Sequence, residues 1–357
     1  MIHTDALVIG AGPVGLFQVF QLGLLGLKAE IIDVLPQAGG QCIALYPDKP
    51  IYDIPGVPLC TGRELTQQLL VQAMPFMPAD APDAPSRNLH LGHMVSELRA
   101  CADGGFQIET DKGLLIQARA VFIAAGAGAF VPRTLNLPGL AEAGNVHHFL
   151  HEASGTTAPW AGQHLIIHGG GDEALSAALS IARHPDLAQR PARLSLLHRR
   201  DQFQAEADLD AAVRDLMAAG EINLIVGMPT EATVDDGLVT SLQILGTDGQ
   251  TRSQPLDHLL IRLGMSPKLG PLSNWGMALE RKQVAVNTAS FESSIPGLYA
   301  VGDINVYPGK KRLLLCGFHE ATLAAHHAAA ALNPDAPQHL LYTTTSPLLH
   351  QRLGVAK

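Results

Sequence analysis

Cysteine is scarce in this chain, and its spacing excludes several kinds of protein. The 357 residues contain four cysteines, Cys42, Cys60, Cys101 and Cys316, and no two of them lie within ten residues of each other. The sequence therefore has neither a C-x-x-C dithiol nor a zinc ribbon. Four cysteines in a chain of this length do not form a disulfide scaffold, so we expect a cytoplasmic protein.

Positive charge and long apolar runs are also in short supply. The 24 Lys and Arg residues stand against 33 Asp and Glu, which gives a net charge of −9 and argues against nucleic acid as a partner. The apolar stretch 14–27 is interrupted by Gln18 and Gln21 and is too short to cross a membrane. A strand candidate at 6–9 leaves no room for a signal peptide, so we expect a soluble protein without a membrane partner.

Hydrophobic residues and glycine are abundant. The hydrophobic fraction is 47%, which is enough for a large core, and the length suggests two domains at about 150 residues per domain. The 35 glycines and 24 prolines show no collagen-like period. We therefore expect the glycines at turns and at close approaches of the backbone.

A glycine-rich turn separates a strand from a helix near the N-terminus. The apolar run 6–9 predicts a buried parallel strand, and a helical pattern extends from the turn to about Leu25. The turn has the spacing G-x-G-x-x-G at Gly10, Gly12 and Gly15. The first glycine allows the tight turn, the second allows the backbone to approach a pyrophosphate, and the third allows close packing of the helix on the strand.

Two further residues complete this motif. Pro13 is tolerated because first-turn N–H groups have no partner within the helix, and the same free N–H groups attract phosphate. The next strand candidate, 29–32, ends at Asp33, whose carboxylate can accept hydrogen bonds from ribose hydroxyls. The order of strand, turn, helix and acid predicts a dinucleotide site, and a purely structural turn is the alternative.

A second copy of the pattern lies in the middle of the chain. The strand candidate 164–167 precedes a G-x-G-x-x-A turn, and the strand candidate 194–197 ends in His198-Arg199-Arg200 instead of an acid. A pair of guanidinium groups can bind a 2′-phosphate, which favours NADPH over NADH, and a solvated basic tip is the alternative. The residues assigned to this site are Gly169, Gly171, Asp172, Ala174, His198, Arg199 and Arg200.

Two nucleotide-binding units in one chain suggest two nucleotides, most simply a flavin and a nicotinamide. The buried-strand candidate 297–301 ends in Gly302-Asp303, where a carboxylate can bind ribityl hydroxyls. Alternating segments at 94–98 and 106–109 predict antiparallel strands that cover one face of a sheet.

Several motifs outside the glycine turns carry a family resemblance. They lie at 39–41, 44–47, 51–53, 124–130, 302–310, 317–321 and 342–346. In these motifs, and over nearly its whole length, the chain resembles the ferredoxin/flavodoxin–NADP(+) reductases of the thioredoxin-reductase-like type. The resemblance implies an α/β fold of two Rossmann-like dinucleotide-binding domains with three ββα layers. It also implies a discontinuous FAD domain, 1–128 and 264–357 with the C-terminal tail, and an NADPH domain at 129–263.

The resemblance also implies roles for individual residues. Tyr46 would stack on one face of the flavin ring and Tyr342 would cover the other, as the catalytic pair, and ordinary packing is the alternative for both. The tail would complete a flavin site in a homodimer. The residues assigned to FAD are Gly10, Gly12, Pro13, Gly15, Asp33, Gly40, Gln41, Tyr46, Val95, Phe130, Gly302, Asp303 and Thr344.

The chain departs from its relatives in two places. Thioredoxin reductases carry a C-x-x-C upstream of the second glycine turn, whereas residues 145–163 contain no cysteine, so the usual exchange with a disulfide is excluded. Gln204 stands where relatives often have arginine, which counts against NADPH. His147, His148 and His151 include an i,i+4 pair that could bind a metal on a helix, but no third ligand is evident and we expect no metal.

The activity implied by the resemblance is electron transfer between NADPH and ferredoxin or flavodoxin, by hydride transfer to flavin N5 and then single-electron transfer. The alternatives are a reductase of a quinone or a low-molecular-weight disulfide, and a non-enzymatic flavin redox sensor. The expected carriers are typically acidic, so docking on a chain of charge −9 needs a local basic patch. The run Lys310, Lys311 and Arg312 is the candidate, and a solvated loop is the alternative.

Overall fold

The fold is described by a computed structural model that covers residues 1–79, 86–102, 104–150, 157–335 and 339–355, without the side chains of residues 129–131, 265 and 267. The α-helices are α1 (Pro13–Leu24), α2 (Gln41–Ala44), α3 (Gly62–Ala73), α4 (Asp172–Ala182), α5 (Ala207–Ala218), α6 (Leu314–Leu332) and α7 (Pro347–Arg352). Short 3₁₀ helices span Met74–Phe76, Leu187–Gln189, Gly270–Asn274 and Gly302–Ile304. The strands are β1 (Ile2–Ile9), β2 (Ala29–Asp33), β3 (Pro50–Ile51), β4 (Cys60–Thr61), β5 (Leu89–Leu91), β6 (Val95–Ala100), β7 (Phe106–Thr110), β8 (Leu115–Ile123), β9 (Ala129–Pro132), β10 (Val146–His147), β11 (His164–His168), β12 (Arg193–His198), β13 (Asn223–Val226), β14 (Met228–Asp235), β15 (Leu238–Leu245), β16 (Thr251–Pro255), β17 (His258–Ile261), β18 (Met265–Lys268), β19 (Leu279–Glu280), β20 (Gln283–Ala285), β21 (Leu298–Ala300) and β22 (Asn305–Val306).

The chain divides into two compact units. The first unit comprises residues 1–130 and 267–357, and the second comprises residues 131–266. The boundaries that the resemblance implied, at 128/129 and 263/264, lie close to the two points where the chain passes from one unit to the other. The assignment of FAD to one unit and NADPH to the other remains a prediction.

The sheet of the first unit is built around β1. The strand order is β5-β2-β1-β8-β7-β6, and β21 pairs with the C-terminal part of β8. Strand β1 runs parallel to β2 and β8. Strands β6 and β7 are antiparallel, as predicted, but they extend this sheet beyond β8, whereas the prediction had them covering one face of a sheet. The residues 6–9 of β1 are buried because a parallel strand is covered on both faces.

The two faces of this sheet carry different layers. On one face α1, α3 and α6 enclose a core that includes Val8, Leu16, Phe122 and Ala325. On the other face the core includes Leu7, Ile108 and Val121, together with residues of the antiparallel strands. The first unit therefore packs helices on one face of its mixed sheet and has a second core on the other face.

The second unit repeats the plan on a smaller scale. Its parallel sheet has the order β10-β17-β11-β12-β13, and β14-β15-β16 form a separate antiparallel sheet. Helices α4 and α5 cover one face through residues such as Ala174 and Val213, and the other face packs on Val239 and Leu242 of β15. The predicted α/β fold class is confirmed. In the described part of the chain, no helix has the length and apolar character needed to cross a membrane.

Candidate functional site

Two glycines of the first turn are required by close backbone packing. Gly10 has a φ of +111°, and a Cβ there would lie 2.4 Å from the carbonyl oxygen of Ala124 at the end of β8. A Cβ on Gly15 would lie 1.8 Å from the carbonyl oxygen of Gly10. Side chains at these positions would therefore push α1 away from the carboxyl ends of β1 and β8.

Gly12 and Gly40 instead lie on either side of an open space at the start of α1, which we call the cradle. Gly12 is the N-cap of α1, and a Cβ on it would meet only Gly40 Cα, at 3.8 Å. A Cβ on Gly40 would lie 3.0 Å from Gly12 Cα. The first turn of α1 contains no acid and the N-cap makes no side-chain hydrogen bond, so the helix N-terminus can accept an anion.

Asp33 connects this turn to the end of β2. Its Oδ2 accepts a hydrogen bond from the N–H of Ala11 at 2.6 Å, and its Oδ1 accepts one from the N–H of Leu35 at 2.8 Å. Burial raises the pKa of this carboxyl group, and the backbone hydrogen bonds oppose the rise. The carboxylate thus orders the glycine turn at the edge of the cavity that it lines.

Most residues assigned to FAD from the sequence line one cavity of about 210 Å³ in the first unit. These residues are Gly10, Gly12, Pro13, Asp33, Gly40, Gln41, Tyr46, Val95, Gly302 and Asp303. Gly15 supports the turn from behind, and the side chain of Phe130 lies outside the described part of the structure. The structure therefore gathers residues that are up to 293 positions apart in the sequence, from Gly10 to Asp303.

Tyr46 is a half-buried member of this cavity. Its hydroxyl oxygen lies 3.7 Å from Cys42 Sγ, which is positioned to donate a weak hydrogen bond. Burial raises the pKa of both the Tyr46 hydroxyl and the Cys42 thiol, so both groups hold their protons at neutral pH. Tyr46 can therefore present an aromatic surface here without acting as a base.

Tyr342 and Thr344 are not brought to the cavity of their own chain. The Tyr342 side chain is 63% exposed, and neither residue lines the cavity. The tail is anchored elsewhere on the first unit, since Ser346 caps α7 and Arg352 donates a hydrogen bond to the carbonyl oxygen of Leu24 on α1. The predicted pairing of Tyr342 with Tyr46 around one flavin is thus not formed within a single chain.

The Gly302–Asp303 segment is held by a buried acid that sequence reasoning did not single out. Glu320 on α6 is fully buried and accepts hydrogen bonds from the N–H of Gly302, at 2.7 Å, and from Asn305 Nδ2, at 2.8 Å. It also accepts hydrogen bonds from the hydroxyl of Tyr307 and from the ammonium group of Lys310. An acid on the apolar face of a helix is the sequence signal that could have identified it.

This arrangement corrects one prediction. Lys310 was expected to belong to an exposed basic patch, but its side chain is only 7% exposed and is paired with Glu320. Lys311 and Arg312 are exposed, and Arg312 also lines the cavity. Two members of the basic run remain available to solvent, and the third is structural.

The second glycine turn repeats the geometry of the first. Gly169 has a φ of +157°, and a Cβ there would lie 2.2 Å from the carbonyl oxygen of Arg262. Gly171 is the N-cap of α4, and a Cβ on it would meet only the carbonyl oxygen of Gln204, at 3.7 Å. The turn is thus closely packed against backbone at Gly169 and open at Gly171, like the turn before α1 at Gly10 and Gly12.

Some of the other residues assigned to the second site support the glycine turn, and others are exposed at the surface. Ala174 is fully buried under the turn, and the His198 ring packs against Gly170. Arg199 and Arg200 are exposed and follow the end of β12. Asp172 Oδ1 accepts a hydrogen bond from the N–H of Glu206, so this carboxylate organises the start of α5.

The histidine cluster takes a form that its spacing did not predict. His147 lies on strand β10 and not on a helix, and its Nε2 is 2.9 Å from Nδ1 of His258. His151 lies outside the described residues. Within the described ranges, no group of three or more potential metal ligands is present.

Comparisons with known proteins extend over nearly the whole chain. Residues 4–331 match the family described as pyridine nucleotide-disulphide oxidoreductase. A ferredoxin–NADP reductase of Paracidovorax citrulli is 50% identical over 364 aligned positions, which cover 100% of this chain and 97% of that protein. A ferredoxin–NADP reductase of Leptothrix cholodnii is 51% identical, with 99% of this chain and 92% of that protein covered.

Solved structures with a similar fold are more distant in sequence. Lactococcus lactis thioredoxin reductase has a TM-score of 0.56 at 22% identity, covering 91% of this chain and 97% of that one. A bacillithiol disulfide reductase of Staphylococcus aureus has a TM-score of 0.58 at 17% identity, covering 93% and 99%. At these identities the two structures support the fold alone.

Proposed function

The chain belongs to the pyridine nucleotide-disulphide oxidoreductase family, and we propose that it transfers electrons between NADPH and ferredoxin or flavodoxin, with FAD as its cofactor. The observation that carries this proposal is end-to-end identity of about half with ferredoxin–NADP reductases. The cavity at the first glycine turn agrees with it, because that cavity gathers the expected FAD residues.

The residues at the first turn fit the parts of FAD. The cradle of Gly12 and Gly40 at the N-terminus of α1 suits a pyrophosphate, and Asp33 suits a ribose. Asp303 suits the ribityl chain. The buried Nε1 of Trp275, which also lines the cavity, has no hydrogen-bond partner among the described residues and is a spare donor.

Bound FAD would supply the hydride acceptor and the capacity to release electrons one at a time. The protein's own role is to bind FAD, to orient it and to shield it from water. The ring of Tyr46 offers an aromatic surface, and its hydroxyl group keeps its proton. Apolar residues such as Val95 and Leu272 exclude water from the cavity. No protein acid or base is needed for single-electron transfer, which agrees with the raised pKa values of Tyr46 and Cys42.

The second unit supplies the proposed NADPH site. The cradle at Gly171 and the N-terminus of α4 suit a second pyrophosphate, and exposed Arg199 and Arg200 suit the 2′-phosphate. Gln204 donates its backbone N–H to the carbonyl oxygen of Gly170, so this residue supports the turn through its main chain. The departure at Gln204 therefore leaves the turn intact.

A small protein carrier is favoured over a disulfide as the electron acceptor. Residues 145–163 contain no cysteine, and the four cysteines are free thiols in the structure. Without a dithiol near the nicotinamide site, no thiol pair is present to take electrons from the flavin and pass them to a disulfide by the usual exchange.

The tail is proposed to complete the flavin site of a second copy in a homodimer. Tyr342 is exposed and does not line the cavity of its own chain, so its ring is accessible to a partner's flavin. Tyr342→Ala should change the flavin spectrum of the dimer, whereas Leu340→Ala, at a similarly exposed neighbour, should not. A monomer in solution, or identical spectra for both variants, would contradict this role.

The carrier is proposed to dock near Lys311 and Arg312. Both side chains are exposed. Burial raises the pKa of the Asp303 carboxyl group, and the positive charges of Lys310 and Arg312 oppose that rise. Positive charge beside the cavity can attract an acidic carrier despite the net charge of −9. The cytoplasm, where such carriers and NADPH are found, is the proposed location.

A coupled assay tests the proposed function. NADPH-dependent reduction of cytochrome c is expected to be fast only when ferredoxin or flavodoxin is added. Turnover with a quinone or a small disulfide but with no carrier protein would favour a different reductase. Binding of NADPH without turnover of any acceptor would favour a redox sensor.

A further inference from the structure

The N-terminus of α4 differs from that of α1 in its charge. The first turn of α4 carries two acids, Asp172 and Glu173, whereas the first turn of α1 carries none. A carboxylate favours the positive end of a helix dipole, and there it competes with a phosphate for the same N–H groups. The proposed pyrophosphate site in the second unit therefore needs these two charges to be compensated.

Each acid has a defined partner. Asp172 accepts a hydrogen bond from the backbone N–H of Glu206 at 2.8 Å and is thereby engaged with the start of α5. Glu173 Oε2 lies 3.5 Å from Nη2 of Arg262, and the two side chains are 23% and 16% exposed. The pair is mostly removed from water, so its electrostatic interaction is weakly screened.

Arg262 is held at the glycine turn by several contacts. Its backbone N–H donates to the carbonyl oxygen of His168, and its own carbonyl oxygen closes the turn behind Gly169. Its Nη1 donates to the carbonyl oxygen of His148 at 2.8 Å. Its buried Nε has no hydrogen-bond partner among the residues that the structure describes. The guanidinium group is thus fixed beside the first turn of α4 with donor capacity left over.

We propose that Arg262 is a positioning residue for NADPH, which neutralises Glu173 and so makes the N-terminus of α4 receptive to the pyrophosphate. This inference rests on the proposed function, because it assumes that NADPH binds at the second turn. Without Arg262, the Glu173 carboxylate would face the incoming phosphates with its full charge. Without Glu173, Arg262 would offer its charge to the phosphates directly.

Calorimetric titration of the holoenzyme with NADP⁺ tests this proposal, with thermal unfolding and FAD content measured in parallel. Arg262→Met should weaken binding at least about tenfold, Glu173→Gln should strengthen it about threefold or more, and the double variant should bind close to wild type. Arg262→Lys, which keeps the charge, should lie between Arg262→Met and wild type. High salt should shrink the defect of Arg262→Met.

The outcomes separate this inference from the proposed function. If wild type fails to bind NADP⁺, the proposed function fails. If wild type binds but Glu173→Gln has unchanged or weaker affinity, or the double variant is no tighter than Arg262→Met, the ion pair is only structural and the inference is overturned. Glu173→Gln removes one partly exposed charge, so it keeps the test decisive even if Arg262→Met does not fold.

Discussion

Lys310 and Glu320 form a buried ion pair behind the cavity of the first unit. The ammonium nitrogen of Lys310 lies 2.5 Å from Glu320 Oε1, and the side chains are 7% and 0% exposed. The same ammonium group donates to the carbonyl oxygen of Gly302, while the other oxygen of Glu320 accepts from the Gly302 N–H. Both sides of the Gly302 backbone are thus fixed by one pair, which positions Asp303 at the cavity.

Replacing Lys310 should destabilise the first unit strongly. Lys310→Met leaves the carboxylate of Glu320 buried without its counter-charge, and we expect a loss of about 3–5 kcal/mol in the free energy of unfolding. Flavin fluorescence during urea unfolding would report it. Lys311→Met is the matched control, since Lys311 is exposed and its replacement should change stability by less than about 0.5 kcal/mol. Equal stability of the two variants would mean that the pair is dispensable.

A methyl group in either glycine cradle should weaken the binding of one nucleotide and leave the other unaffected. Gly12→Ala should fold normally, because a Cβ there meets nothing closer than 3.8 Å, but the methyl group would occupy the cradle and weaken FAD binding at least about tenfold. Gly171→Ala should retain FAD and weaken NADP⁺ binding instead. Flavin content and NADP⁺ titration of both variants would check this, and loss of FAD from Gly171→Ala would contradict the assignment of the two sites.

The two exposed arginines after β12 should decide between NADPH and NADH. The double substitution Arg199→Gln and Arg200→Gln removes the proposed partners of the 2′-phosphate, so KM for NADPH should rise about 10- to 100-fold while KM for NADH stays constant. Arg193→Gln, at the exposed start of the same strand, is the control and should alter neither value. Parallel changes for both nucleotides would reject a 2′-phosphate site.

His168 predicts an acid sensitivity of the second unit. Burial lowers the pKa of this histidine to about 4, and its Nδ1 lies 3.1 Å from the carbonyl oxygen of Leu197. The unfolded chain binds the proton at pH values below its ordinary pKa near 6.5, whereas the folded chain resists protonation down to about 4. The free energy of unfolding should therefore fall as the pH drops through this window, by at most about 3 kcal/mol from this group.

The matched variant for this prediction is His168→Gln, which keeps a polar side chain and removes the titration. Its free energy of unfolding should depend less on pH than that of wild type between pH 6.5 and 4. The partly buried His148, whose pKa burial also lowers, contributes equally to both proteins. Parallel pH profiles for the two proteins would show that His168 does not contribute.

The parts of the fold that the sequence predicts are those set by local chemistry. The glycine spacing at Gly10 and Gly169 and the apolar runs beside them specify strand, turn and helix within about 20 residues. Strands β14 and β16 escape such reasoning, because they are mostly exposed and rich in polar residues. Their pairing with β15 supplies the structure that their own sequences do not indicate.

The site residues that sequence reasoning missed depend on contacts between distant segments. Lys310 has the sequence neighbourhood of a surface residue, and its burial follows only from Glu320 on α6. Trp275 and Arg262 reach their sites through folding and not through a motif. Tyr342 was assigned by resemblance and is exposed in the single chain, and its place on a second copy stays a proposal.

Electrons are proposed to pass from NADPH through bound FAD to a small carrier protein. An anaerobic titration of the purified holoprotein tests this path most directly. NADPH should bleach the flavin absorbance near stoichiometrically, NADH should do so less effectively, and oxidised ferredoxin or flavodoxin should then restore the absorbance. A purified protein without flavin absorbance, or a reduced flavin that no ferredoxin or flavodoxin of the source organism reoxidises, would contradict this path of electron transfer.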